Sequence, residues 1–452
     1  ALQSFNEALL IVEKLGDSAA LGSTLANLMA GWKMKGELPL AASFGKRSVN
    51  AYQAVRLDIV SLDRQLQESF VRSKESDYRY LAQLLVELGR IPEAERAISL
   101  LKLEEYSKFL RGADLPARES TATVALSSDE IAMLQAHKEH LEGITAIAKE
   151  FGDLQEESRK PEYEDKPFPR QARMDELDRM LSEARAKFKA FVDRLRVVSS
   201  PNDRRLAVSE LKELLKFTGA KSTAIVSTIV GPEKLSIIVT TADVQVSHTV
   251  DTSEREINEI VGEFRSVLLN PEIDPRPAGK LLYDIIVRPI ENDLSGIDAS
   301  AIVWSLDGTL RYIPPGALWD GKQYLAQRFG SGVITFAGRT KLRDPVLGKT
   351  QWRALGVGTS KRFESFPALE AVPDELDCVV TDPAIRNVSR KPMCENGVMP
   401  GRKYLDEAFT KAAFKKAVGR FPFIHVASHF HLEPGNYANS YLLVGGGSDR
   451  RL

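Results

Sequence analysis

Residues 421–447 read FPFIHVASHFHLEPGNYANSYLLVGGG: an apolar run closing on a histidine, a polar loop, then a second apolar run. Ile424, Val426 and Ala427 are small or β-branched, and a central parallel strand reads as a near-continuous apolar stretch of this kind. His429 then stands at the carboxyl end of that strand. In open α/β sheets ligands and catalytic groups gather in the crevice outside the carboxyl ends of the strands, where a general base reaches a substrate. Ser428 and His429 are strand neighbours pointing to opposite faces, so they make a poor dyad. His425 is expected inside, as a core residue beneath the helices. His429, His431 and Glu433 share one face of an extended segment, a geometry zinc accepts; metal sites more often draw ligands from separate elements, and no metal is assigned. Gly445–Gly447 resembles a phosphate loop only in composition, lacks the Lys-Ser/Thr ending, and is read as a chain turn.

The string His425-Val426-Ala427-Ser428-His429-Phe430, the following Pro434-Gly435, and Asn439-Ser440-Tyr441-Leu442-Leu443 resemble the histidine motif of the CHAT domain, a caspase-like peptidase module associated with tetratricopeptide repeats. Upstream phrases agree in order: Leu310-Arg311-Tyr312-Ile313-Pro314, Asp320-Gly321-Lys322-Gln323-Tyr324-Leu325, Phe366-Pro367-Ala368-Leu369 and Tyr404-Leu405-Asp406-Glu407-Ala408-Phe409-Thr410. The resemblance implies a caspase-like α/β domain with a mainly parallel sheet, cysteine endopeptidase chemistry on a protein substrate, and no cofactor. The second histidine of the family motif is the catalytic one, which maps onto His429. In many relatives a glycine follows it and lends its amide to the oxyanion hole; here the amide belongs to Phe430. The family's nucleophilic cysteine lies on the next strand, and the sequence reaches Leu452 without one. The expectation is a chain cut before its nucleophile and inactive as it stands. The competing expectation is a noncatalytic scaffold for protein assembly.

The rest of the sequence sets bounds. A chain of 452 residues is long enough for two or three domains. With 61 basic and 62 acidic residues it offers no global electrostatic attraction for nucleic acid or an anionic membrane. No apolar run reaches the length of a membrane span. Two cysteines argue against a disulfide framework and fit a reducing cytoplasm, the expected location. The start, Ala-Leu-Gln-Ser-Phe, reads as mid-helix, so both ends are expected to be fragment ends.

Residues 1–115 read as paired helices with a repeat. Leu28, Trp32, Gly36 and Ala41 recur as Leu81, Leu85, Gly89 and Ala94 with the same internal spacings, the tetratricopeptide pattern of small residues at helix crossings and a glycine in the turn. Extra residues between the copies, Val49 to Asp77, are read as a lengthened helix. Solenoid packing is required in any case; binding of a regulatory protein or complex on the concave surface is the added expectation.

Residues 116–206 read as a helical hairpin connector. Ser127 and Glu130 form a capping box ahead of the stripe Ile131, Leu134, Leu141, Ile144 and Phe151. Pro161, Pro167 and Pro169 break the helix, and Met174, Leu177, Leu181, Ala184, Phe188, Val192 and Leu195 form the returning seam.

Residues 207–452 read as the caspase-like domain. Thr223–Val230, Leu235–Thr241 and Val244–Val250 are three β-rich runs separated by turn residues, hence an antiparallel meander. Ser253 and Glu256 cap a helix; Pro277–Pro289, Asp374–Val379 and Glu407–Val418 supply others, alternating with strands at Ala301–Leu306 and Leu355–Val357. Cys378, on a helix among apolar neighbours, and Cys394, in a loop expected at Pro392–Gly401, both precede the histidine and are not assigned as the nucleophile.

Overall fold

The chain, seen as a computed structural model, is described over residues 2–59, 64–109, 123–160, 163, 166–195, 210–218, 222–335, 347–384, 394, 396–431 and 440–452. It divides into two compact units, Ala1–Leu342 and Arg343–Leu452.

The first unit opens with five helices: α1 (Leu2–Leu15), α2 (Ser18–Met34), α3 (Leu38–Asp58), α4 (Arg64–Glu87) and α5 (Ile91–Phe109). Leu28, Trp32 and Ala41, and their counterparts Leu81, Leu85 and Ala94, are all buried in one apolar core. Gly36 and Gly89 stand in the α2/α3 and α4/α5 turns at φ of +80° and +71°, a region that carries no penalty only for glycine. The inserted stretch 49–77 is not a single lengthened helix. It is shared between the end of α3 and the start of α4, and residues 60–63 between them lie outside the described residues.

Next come α6 (Ser128–Ser158) and α7 (Gln171–Leu195). The Ser127–Glu130 capping box forms at the start of α6, with the Glu130 amide donating to Ser127 Oγ and the Ser127 amide donating to Glu130. Leu134, Leu141, Leu177, Leu181 and Val192 are buried, whereas Ile131 is exposed, so the stripe begins a turn later than its spacing suggests. Pro161 lies outside the described residues. Glu130 also ties the hairpin to α3 and α5. The enclosed Lys46 ammonium donates to Glu130 at 2.8 Å and to the Ala125 carbonyl at 3.0 Å and pairs with Glu93, while Arg90 holds Glu130 at 2.8 Å. Charges removed from water persist only when matched in this way. Beside them His137, 1% exposed, sits among the rings of Trp32, Phe44 and Phe188. Burial, with help from the positive field of Arg47 and from His140, pushes its pKa down to about 4.

After α8 (Glu210–Thr218) the chain enters a five-stranded sheet built from β1 (Thr223–Val230), β2 (Leu235–Thr240), β3 (Gln245–Val250), β4 (Ala301–Ser305) and β5 (Gly330–Val333). Their order is β3-β2-β1-β4-β5, an antiparallel meander extended by two parallel pairs. Between β3 and β4 run α9 (Glu254–Leu268), α10 (Arg276–Ile286) and the short α11 (Glu291–Gly296). Val226, Ile237, Val239 and Trp304 pack with Phe264 and Leu282 of these helices. On the other face Ile225 meets Leu211 and Leu215 of α8, and Ile229 and Ile238 join the apolar core of the first five helices. A buried ion pair pins that junction. Arg79 of α4 pairs with Asp307, just past β4, and donates to the Val230 carbonyl at 3.1 Å, while Asp307 accepts the Val230 amide at 3.0 Å.

The second unit is built on β6 (Ala354–Gly358), β7 (Val380–Thr381), β8 (Met399–Leu405) and β9 (Phe423–Ala427), ordered β7-β8-β6-β9 with every pair parallel. Helix α12 (Val372–Val379) covers one face. It lies close because Gly356 and Gly358 leave room: a Cβ on Gly358 would fall 2.6 Å from Val372. The other face, Leu355 and Val357, packs on Phe409, Ala417 and Val444. The helix expected over Glu407–Val418 is shorter, α13 (Lys411–Ala417) capped by Thr410, because Asp406–Ala408 forms a separate 3₁₀ turn. Strand β8 carries no clear strand signal in its sequence, and it starts inside the loop expected at Pro392–Gly401. Pro400, Gly401 and two basic residues hide it.

The histidine strand and the two cysteines differ from the sequence expectation. β9 is the edge strand of its sheet, with Ile424 and Val426 41% and 40% exposed, because among the described residues only β6 pairs with it. His425 is therefore not a core residue; it is half-buried, and its Nε2 meets Glu375 of α12 at 2.7 Å. The two cysteines are not separate thiols: Cys378 and Cys394 form a disulfide across 16 residues, tying the end of α12 to the approach to β8. One such bond is not a framework, but it removes the premise from which a reducing compartment was argued. Among the described residues no helix is long and apolar enough to cross a membrane.

Candidate active site

The parallel register sets Gly358 of β6 level with Leu405 of β8 and Ala427 of β9. The residues that follow, Thr359-Ser360, Asp406 and Ser428-His429, therefore emerge along one edge of the sheet. At that edge Asp406, held at φ +50°, accepts the Ser360 amide at 2.7 Å and the Ser360 hydroxyl at 2.8 Å. A non-glycine residue with positive φ is uncommon and persists only where its surroundings fix it. The fixing is tight. A Cβ on Gly445 would fall 2.2 Å from the Asp406 carbonyl oxygen, and one on Gly446 equally near that of Glu407. The glycine run thus lets two backbones touch, and Gly447 at φ +92° makes the turn.

Ser428 and His429 are locked by the returning chain. Ser428 donates its hydroxyl to the Leu443 carbonyl at 2.6 Å, and the Leu443 amide donates to the His429 carbonyl at 2.9 Å. The serine proton points away from the imidazole, consistent with reading no dyad. Two short strands, β10 (Phe430–His431) and β11 (Tyr441–Leu442), pair antiparallel directly after the histidine, setting Phe430 opposite Leu442. His431 stacks on Tyr441 at 5.0 Å, a packing role, and Glu433, the third member of the zinc alternative, lies outside the described residues.

The imidazole of His429 is half-exposed and held from the loop after β6. Its Nε2 lies 2.8 Å from the Pro367 carbonyl oxygen, and its ring rests on Phe366 at 5.0 Å. A carbonyl only accepts, so Nε2 carries the proton, and in the neutral ring the lone pair stays on Nδ1. The arrangement suits an imidazole that takes a proton at Nδ1 and later returns it. Sequence reading assigned no role to Phe366 or Pro367, although the phrase containing them was singled out. The missed signal is a carbonyl contributed by backbone, which side-chain patterns do not report. Glu375, the partner of His425, was missed because its distance in sequence gives no periodic cue.

The family model described as CHAT domain matches residues 276–452. That segment is similar to the CHAT domain, a module related to the caspase-like peptidases, and the helical region followed by mostly parallel α/β structure is consistent with that fold. A comparison with curated proteins gives no match.

Proposed function

We propose that this chain belongs to a caspase-like cysteine endopeptidase acting on a protein substrate, with His429 as its imidazole and the Phe430 amide as an oxyanion donor. The observation that carries the reading is the His429 ring at the carboxyl end of β9, with Nε2 engaged by Pro367 and Nδ1 left basic. In the proposed reaction a cysteine thiol passes its proton to His429 Nδ1, the resulting thiolate attacks the scissile carbonyl carbon, and the carbonyl electron pair moves onto oxygen beside backbone amides. The tetrahedral adduct collapses, the C–N bond breaks, and the leaving amine takes a proton from His429. Water, deprotonated by the same ring, then cleaves the thioester. The thiolate belongs to a cysteine other than Cys378 and Cys394, which are bonded to each other. Residues 1–452 alone are therefore expected to cleave nothing. The helical repeats are proposed to bind a regulatory protein or complex, without direct contact to nucleic acid or membrane.

A second reading is a noncatalytic scaffold for protein assembly, in which the Cys378–Cys394 disulfide serves only to tie the end of α12 to the approach to β8. The experiment that separates the two is peptide-library profiling of the full-length native protein and its His429→Ala variant. General acid-base loss is expected to lower kcat by about a hundredfold to ten-thousandfold. No cleavage by the wild type in the presence of its activating partner, or equal cleavage by the variant, sinks the peptidase reading.

A further inference from the structure

We infer that Phe366 is the positioning residue of His429, setting both the plane of the imidazole and the nitrogen that carries its proton; the catalytic meaning of this rests on the peptidase reading. Phe366 acts through its ring and through its backbone. The ring lies 5.0 Å from that of His429, tilted by 33°. It is backed in turn by Tyr441, edge-on at 6.4 Å, and Tyr441 is flanked by the stacked His431 ring and the Arg451 guanidinium, each at 5.0 Å. A half-exposed imidazole is thus braced by an aromatic file that draws on three segments of the unit. Such contacts fix ring orientation, since aromatic pairs favour particular geometries over free rotation.

The backbone contribution is a tight turn. Phe363 and Phe366 exchange both hydrogen bonds, at 3.1 Å and 2.8 Å, and Glu364 inside the turn is held at φ +50°. The carbonyl of Pro367, the next residue, accepts from His429 Nε2. Its direction is set by where the turn ends, and the turn ends where the Phe366 ring is anchored against Tyr441. Losing the ring releases the anchor, and the carbonyl no longer selects one tautomer. A proline at 367 adds to the control, because the residue before proline is confined to extended backbone.

The test uses the 452-residue chain with nitrogen-15 histidine, the His429 signals being assigned by their loss in His429→Gln. In the wild type the two His429 nitrogens are expected at separate shifts, Nε2 as the protonated one. Phe366→Ala is expected to draw them together as both tautomers interchange, and Phe366→Tyr to restore the separation. Signals of the other five histidines monitor folding. Phe366→Leu, which keeps the bulk, replaces the alanine variant if that one unfolds. A nitrogen pattern unchanged in Phe366→Ala or Phe366→Leu overturns the inference. In the full-length protein the alanine variant is expected to lose roughly ten- to a hundredfold in kcat with KM little changed, the scale of a slightly misplaced catalytic group. Cleavage that needs His429 but ignores Phe366 overturns the positioning role and leaves the peptidase reading standing. A tautomer change in Phe366→Ala without any His429-dependent cleavage supports the positioning and removes the peptidase reading.

Discussion

The five-stranded sheet and the four-stranded sheet are made of the same materials and treat them differently. In the first, every residue of β2 and all but the first of β1 are buried, with one face on α9 and α10 and the other on α8 and the first five helices. In the second, β6 is fully buried while β9, which carries the histidine, leaves most of its residues open on the sheet edge. A strand covered on both faces gains apolar burial along its whole length; an edge strand trades that for access. The difference teaches where to look for function. Stability is concentrated in the sheet that carries no candidate chemistry, and the candidate site stands on the less enclosed one, anchored by hydrogen bonds and ring contacts.

Three measurements break or sharpen this contrast. The largest effect is expected at the buried junction of the first sheet. Asp307→Ala leaves the Arg79 guanidinium, 3% exposed, with Glu75 as its remaining acidic partner, and orphans the Val230 amide. Breaking one side of a buried pair costs about 3–5 kcal/mol, so urea unfolding should show a loss on that scale. A loss below about 1 kcal/mol would mean that the junction is not closed to water. The second effect belongs to the second sheet, where the Cys378–Cys394 bond supplements a smaller core. Cys394→Ser should lower the stability of that unit by about 3 kcal/mol, the value for a loop of this length. Wild-type protein treated with dithiothreitol should melt like the variant. If the reductant changes nothing, the bond does not contribute. The smallest effect is expected at the open edge: Ile424→Thr keeps the β-branched shape on an exposed position and should stay within about 0.5 kcal/mol of wild type. A cost above about 1.5 kcal/mol would show that β9 is covered in solution and would erase the contrast.

Much of the architecture was legible from local pattern. The capping boxes at Ser127 and Ser253, the two turn glycines and the meander of β1 to β3 follow from short-range rules, and each appears in the structure. The histidine strand was read correctly as a parallel strand, and incorrectly as central and buried. An apolar run reports what a strand is able to bury, not how many neighbours it has. The same limit misplaced His425, whose environment depends on α12 supplying Glu375 from fifty residues away.

The sequence by itself determined the helical front, the alternating strands and helices behind it, and His429 as the group at a strand end. Those features arise from periodicity, caps and turn residues, all of which act within a few positions of the chain. Only the tertiary structure decided which sheet each strand joins, that Cys378 and Cys394 meet, and that Phe366 and the Pro367 carbonyl close on the imidazole. Such contacts join residues sixteen to more than sixty positions apart, and a backbone carbonyl looks the same in every residue. Their partners are chosen by packing and register, which no local pattern encodes.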